Sequence, residues 1–143
     1  MKNFIAICFT SLLFFSNLAI ADPINIENAY VRATPPHTTN SAAFMVIENT
    51  SSRDIKLVAV SSDIAERVEL HQHVHQDGMM KMRQVDAIRI EKDQQVSLQP
   101  GGYHVMFMGL KQALKDGEMV QLSLYFDNGE EITIEVPIKK INK

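Results

Sequence analysis

Residues 66–84 read Glu66-Arg67-Val68-Glu69-Leu70-His71-Gln72-His73-Val74-His75-Gln76-Asp77-Gly78-Met79-Met80-Lys81-Met82-Arg83-Gln84. Val68, Leu70 and Val74 fall on one parity, and His71, His73 and His75 on the other. Side chains in an extended chain point alternately to opposite faces, so Glu66–His75 reads as a half-buried strand. Asp77-Gly78 supplies a turn, and Met79–Gln84 returns as the second strand of a hairpin.

The same grammar repeats in both directions. Residues 24–33 are extended and closed by Pro35-Pro36. Ala42–Glu48 is an apolar run ended by Asn49-Thr50-Ser51-Ser52, and Ile55–Val60 stops at Ser61-Ser62. Further on, Ile88–Ile90 and Gln95–Leu98 are short strands, Pro100-Gly101-Gly102 is a turn, and Tyr103–Met108 is a strand. Gly109–Lys115 is expected to form a turn of helix. Val120–Phe126 and Glu131–Ile138 flank Asp127-Asn128-Gly129, a hairpin signal because Asn-Gly tolerates positive φ. Short strands with turn signals roughly every 8–12 residues predict an all-β sandwich or barrel in a single domain.

Composition narrows the function. The 143-residue chain is 45% hydrophobic and 22% charged, with 14 Lys+Arg against 17 Asp+Glu. That excludes a disordered chain. The mild net acidity argues against nucleic acid, whose phosphates demand a basic face. One cysteine excludes a disulfide framework.

The first 21 residues carry the marks of a secretory signal: Lys2, an apolar stretch from Phe4 to Phe15, and Ala19-Ile20-Ala21 as a small-x-small cleavage site. The apolar run is shorter than the ~20 residues a bilayer span needs. The expected domains are therefore a signal peptide at 1–21, cleaved after Ala21, and one β domain at 22–143. Export to the periplasm without stable membrane insertion follows. Cys8 lies within the apolar run rather than at its end, so it does not resemble a lipid-attachment site, and residues 22–143 contain no cysteine.

An oxidising compartment disfavours free thiols, so a soft ligand there must be held by thioether and imidazole. Apart from Met1 the methionines are Met45, Met79, Met80, Met82, Met106, Met108 and Met119. Five of these seven, and four of the five histidines, fall between residues 71 and 108. Parity places His104, Met106 and Met108 on one face of their strand, and Met80 and Met82 on one face of theirs. Singly, a strand methionine is more often a gap filler than a ligand, and Met45 and Met119 read that way. Jointly, the cluster selects a metal. Thioether suits Cu(I) and suits Zn(II), Mg(II) or Ca(II) poorly. A blue-copper electron-transfer site needs a thiolate, which residues 22–143 lack.

The spacing His71-x10-Met82-x21-His104-x-Met106 resembles the signature of the PCuAC family of periplasmic copper chaperones. So do Glu69-Leu70-His71, Gly78-Met79-Met80-Lys81-Met82-Arg83, and the run from Pro100 through Tyr103-His104-Val105-Met106-Phe107-Met108 to Leu110. The resemblance implies a cupredoxin-like, Greek-key β-sandwich or barrel that is not an enzyme. It implies one Cu(I) bound by His71, Met82, His104 and Met106. It also implies delivery to a partner, such as a cytochrome c oxidase subunit with its dinuclear copper centre, or a Sco-type protein. Two features differ from many relatives: Gln72 stands where methionine often follows the first histidine, and the chain ends without a His/Met-rich tail. His73 and His75, with Met80 and Met108, form a candidate secondary set, the two histidines suiting a weaker Cu(II) site. Copper sequestration without a delivery partner is the alternative function. A small exported enzyme or a purely structural sandwich is the third class.

Overall fold

The computed structural model describes residues 23–141. The expected signal peptide lies outside these residues. Ten strands form: β1 (Ile24–Arg32), β2 (Asn40–Asn49), β3 (Ile55–Ser61), β4 (Ala65–Gln76), β5 (Met79–Gln84), β6 (Ile88–Ile90), β7 (Gln94–Leu98), β8 (Tyr103–Leu110), β9 (Met119–Phe126) and β10 (Glu131–Lys139). They make one sheet in the order β5-β4-β8-β7-β2-β1-β10-β9-β3-β6, with β2 also pairing β8. Neighbours are antiparallel except for β1–β10 and β7–β8.

The sheet folds over a single core to which both of its ends contribute. Ile47, Val105 and Phe107 from one end pack in the same cluster as Leu57, Ile88 and Leu124 from the other. Asn49, fully buried, reaches across, donating from Nδ2 to the Ile90 carbonyl at 3.1 Å. Alternation in β8 does the sorting: Val105 and Phe107 are fully buried, whereas Met106 on the opposite parity is half-buried. Phe107→Ala is therefore expected to cost about 3–5 kcal/mol of stability, the usual range for truncating a buried aromatic. Denaturant unfolding measures it.

The hairpin that opens the sequence reading forms with a two-residue turn. Asp77 and Gly78 both have positive φ, 53° and 73°, as the twist-compatible hairpin turn requires. Two expectations are corrected. No helix forms over Gly109–Lys115: β8 continues through Leu110 and the chain then turns. The continuation is held by Leu110 N–H donating to the Thr39 carbonyl at 2.8 Å, a strand-type contact that outbids local helix formation. Met119 is not a packing residue: it is 54% exposed at the start of β9, beside Pro137 of β10. Met45 is buried as expected, at 2% exposure.

Candidate metal centre

Three adjacent strands, β5, β4 and β8, bring the soft donors to one face. Residues directly opposite in an antiparallel pair share a face. His71 stands opposite His104, and Glu69 opposite Met106, across β4–β8. Across β4–β5, His73 stands opposite Met82 and His75 opposite Met80. The donors thus lie in successive rows from the sheet's interior to the hairpin tip.

His104 forms the floor at 2% exposure. Its ring centre lies 5.8 Å from that of His71, 5.0 Å from that of His73, which stacks on it, and 6.3 Å from Phe44. A cleft of about 410 Å³ opens above, lined by His73, Met82, His104 and Met106, with Phe44, Arg32 and the Pro100-Gly101 turn among its walls. Met82 is 48% exposed on the edge strand β5. His71, opposite His104 in the ladder, is not among the residues lining the cleft.

Hydrogen bonding sets which imidazole nitrogens are free. His104 Nδ1 lies 3.1 Å from the Gly102 carbonyl, so Nδ1–H donates there and Nε2 keeps its lone pair. His71 Nε2 lies 2.8 Å from Glu69 Oε2, which assigns Nε2–H as donor and leaves the lone pair on Nδ1. His104 Nε2, His71 Nδ1 and His73 Nδ1 are all buried and have no protein hydrogen-bond partner. Buried polar atoms are nearly always paired. Three such imidazole nitrogens on one face fit an electrophile as their common partner.

Burial in the cleft pushes the His104 pKa below the usual histidine value, and the nearby His73, His71 and Arg32 charges act in the same direction. The Gly102 hydrogen bond opposes them. The neutral imidazole is the metal-binding form. The sign for stability follows. In the unfolded chain His104 takes up a proton near pH 6.5, while in the fold it resists until lower pH. The apo protein therefore keeps its full contribution from this group above about pH 6.5 and loses stability as pH falls below it. The melting temperature of apo protein should fall between about pH 7 and pH 5, and His104→Gln should flatten that decline.

The other candidates separate. Met108 is engaged elsewhere: an Arg67 Nη2 donor sits 3.5 Å from its sulfur. His75 and Met80 are exposed together near the hairpin tip. His73, grouped with His75 by parity, stands instead with His104 and Met82. The missed signal was the turn itself, because residues equidistant from Asp77-Gly78 must face each other, and 73 then meets 82. Among the described residues, no three His, Cys, Asp or Glu side chains converge as a metal site by themselves. The cleft adds the thioethers of Met82 and Met106 to its imidazoles, which makes the available donor set soft.

A sandwich with a His/Met-lined cleft on one sheet face defines a class of small cupredoxin-like domains, and the comparisons place the chain within it. Residues 24–138 match the model of the LpqE-like family, described as "Putative lipoprotein LpqE-like", and the chain belongs to that family. It is 33% identical to "Putative lipoprotein Lxx21020" of Leifsonia xyli subsp. xyli (strain CTCB07) over 83% of this chain and 71% of that one. It is 30% identical to "Uncharacterized protein RP573" of Rickettsia prowazekii (strain Madrid E), over 73% of this chain and only 58% of that protein's length. Among solved structures, Cu(I)-bound DR1885 from Deinococcus radiodurans is 36% identical at TM-score 0.67, covering 80% of this chain and 76% of that one. The copper-bound PCuAC domain from PmoF2 shares the fold at TM-score 0.70 and 24% identity, covering 83% of this chain and 94% of that one.

Proposed function

We propose that this protein is an exported copper chaperone that binds one Cu(I) through His71, Met82, His104 and Met106 and passes it to a partner. The observation that carries the reading is the set of buried imidazole nitrogens without protein partners on His71, His73 and His104, the last two lining one cleft with the thioethers of Met82 and Met106. The Cu(I)-bound relative at 36% identity supports the choice of metal. Imidazole and thioether together favour Cu(I) over Cu(II), which prefers harder ligands in tetragonal geometry. A receiving site with thiolates is softer still, so transfer runs downhill. Exposed Met82 is the ligand an incoming donor displaces first.

Catalysis is not part of this reading. Export to the periplasm is supported by the signal-like residues 1–21 and by a family and one relative described as putative lipoproteins. No described helix is long and apolar enough to cross a membrane. The partner fits the chemistry of a thiolate copper site, as in the dinuclear centre of cytochrome c oxidase or a Sco-type protein.

Anaerobic titration of the protein from the exported fraction against a coloured Cu(I) chelator tests the reading. One equivalent of Cu(I), with a raised melting temperature, is expected. No stoichiometric binding would refute it. Copper that binds but never moves to a dithiol acceptor would instead favour sequestration.

A further inference from the structure

His73 has the same credentials as the spacing-derived ligands. Its Nδ1 is buried without a protein partner. It faces Met82 directly, which His71 does not. It lines the cleft together with Met82, His104 and Met106. Two imidazoles bound at about 2 Å to one ion have ring centres about 5 Å apart at a tetrahedral angle and about 6.4 Å apart when opposed. The His73–His104 separation of 5.0 Å suits the tetrahedral case, and the His71–His104 separation of 5.8 Å falls between the two. Among the described residues no three His, Cys, Asp or Glu side chains form a ready-made site, and His71 and His73 approach His104 as separate pairs.

We propose that His73 is a copper ligand of the main cleft, exchanging with His71 so that one Cu(I) moves between an inner and an outer position. In the inner position the ion sits with His71, His104 and Met106. His71 is held there by the Glu69 carboxylate at 2.8 Å, itself 3.7 Å from Arg67. In the outer position the ion sits with His73, His104 and exposed Met82, at the sheet edge where a partner's ligands arrive. No oxidation or proton transfer is involved, since one neutral imidazole replaces another. His75, one row further out and exposed, takes no part.

This rests on the Cu(I)-binding reading above, and the test keeps the two apart. Chelator competition is run on the full chain, on His71→Ala, His73→Ala and His75→Ala, and on the His71→Ala/His73→Ala double variant. An ion shared evenly between the two positions loses only about twofold in affinity when either histidine is removed, because the other position survives. The double variant is expected to lose about a thousandfold or more, far beyond the product of the singles. His75→Ala should match the wild type. Nitrogen-15 NMR of the wild type gives a readout independent of folding of the variants: Nδ1 of both His71 and His73 should shift on Cu(I) addition, and His75 should not. An unmoved His73 resonance, or His73→Ala without effect in both backgrounds, overturns the proposal and leaves the copper reading standing. A wild type that binds no Cu(I) overturns both.

Discussion

His104→Ala is expected to lower Cu(I) affinity by roughly a thousandfold or more, about 4 kcal/mol. His104 sits at the centre of the donor cluster, against both His71 and His73. It faces His71 across the ladder, stacks under His73, and is two residues from Met106 on the same face. Its Nε2 is buried without a partner, while its Nδ1–H is already committed to Gly102. The ring is therefore held in one tautomer before metal arrives. The comparison is His37→Ala, in the exposed loop between β1 and β2, which should leave affinity unchanged. Chelator competition reads both, with the melting temperature of the apo forms as the check on folding. Equal affinities for the two variants would remove His104 from the site.

The second large effect is on selectivity rather than occupancy. With Met82 and Met106 both replaced by alanine, the cleft keeps its imidazole donors but loses both lining thioethers, a harder set that no longer favours Cu(I). The preference for Cu(I) over Cu(II) should fall by at least about a hundredfold. For a one-electron couple that is a drop of about 120 mV in reduction potential, since tenfold corresponds to about 59 mV. Met45→Ala makes the contrast. Met45 lies in the core at 2% exposure, so its truncation should cost about 2–5 kcal/mol of stability while the potential stays in place. Met119→Ala, at an exposed position in the other half of the sheet, should change neither. Voltammetry of the copper-loaded proteins separates the three. An unchanged potential in the double variant would show that the thioethers do not touch the metal.

Much of the architecture was legible because strand parity is local. The bounds of Ile88–Ile90 and of Met79–Gln84 could be read directly, and the segregation of Val105 and Phe107 from His104 and Met106 needed only the two-residue repeat. The helix expected at Gly109–Lys115 failed because the tertiary contact from Leu110 to Thr39 extends β8. Met119 was misplaced because an apolar residue at a strand end carries no information about what covers it.

The sequence by itself determined the all-β class, the lack of any thiol in residues 22–143, and the placing of imidazoles and thioethers on common strand faces. These follow from residue chemistry and from the alternation built into an extended backbone. Tertiary structure alone decided which donors meet. It set His73 rather than His71 opposite Met82, sank His104 to the floor of the cleft, turned His71 toward Glu69, and gave the Met108 sulfur to Arg67. Neighbours across a sheet depend on register and strand order. Here β4 and β8 are adjacent in space although three strands, β5, β6 and β7, separate them in sequence. Spacing along the chain names the donors, but only the pairing of distant strands gives each donor its neighbours, its burial and its free nitrogen.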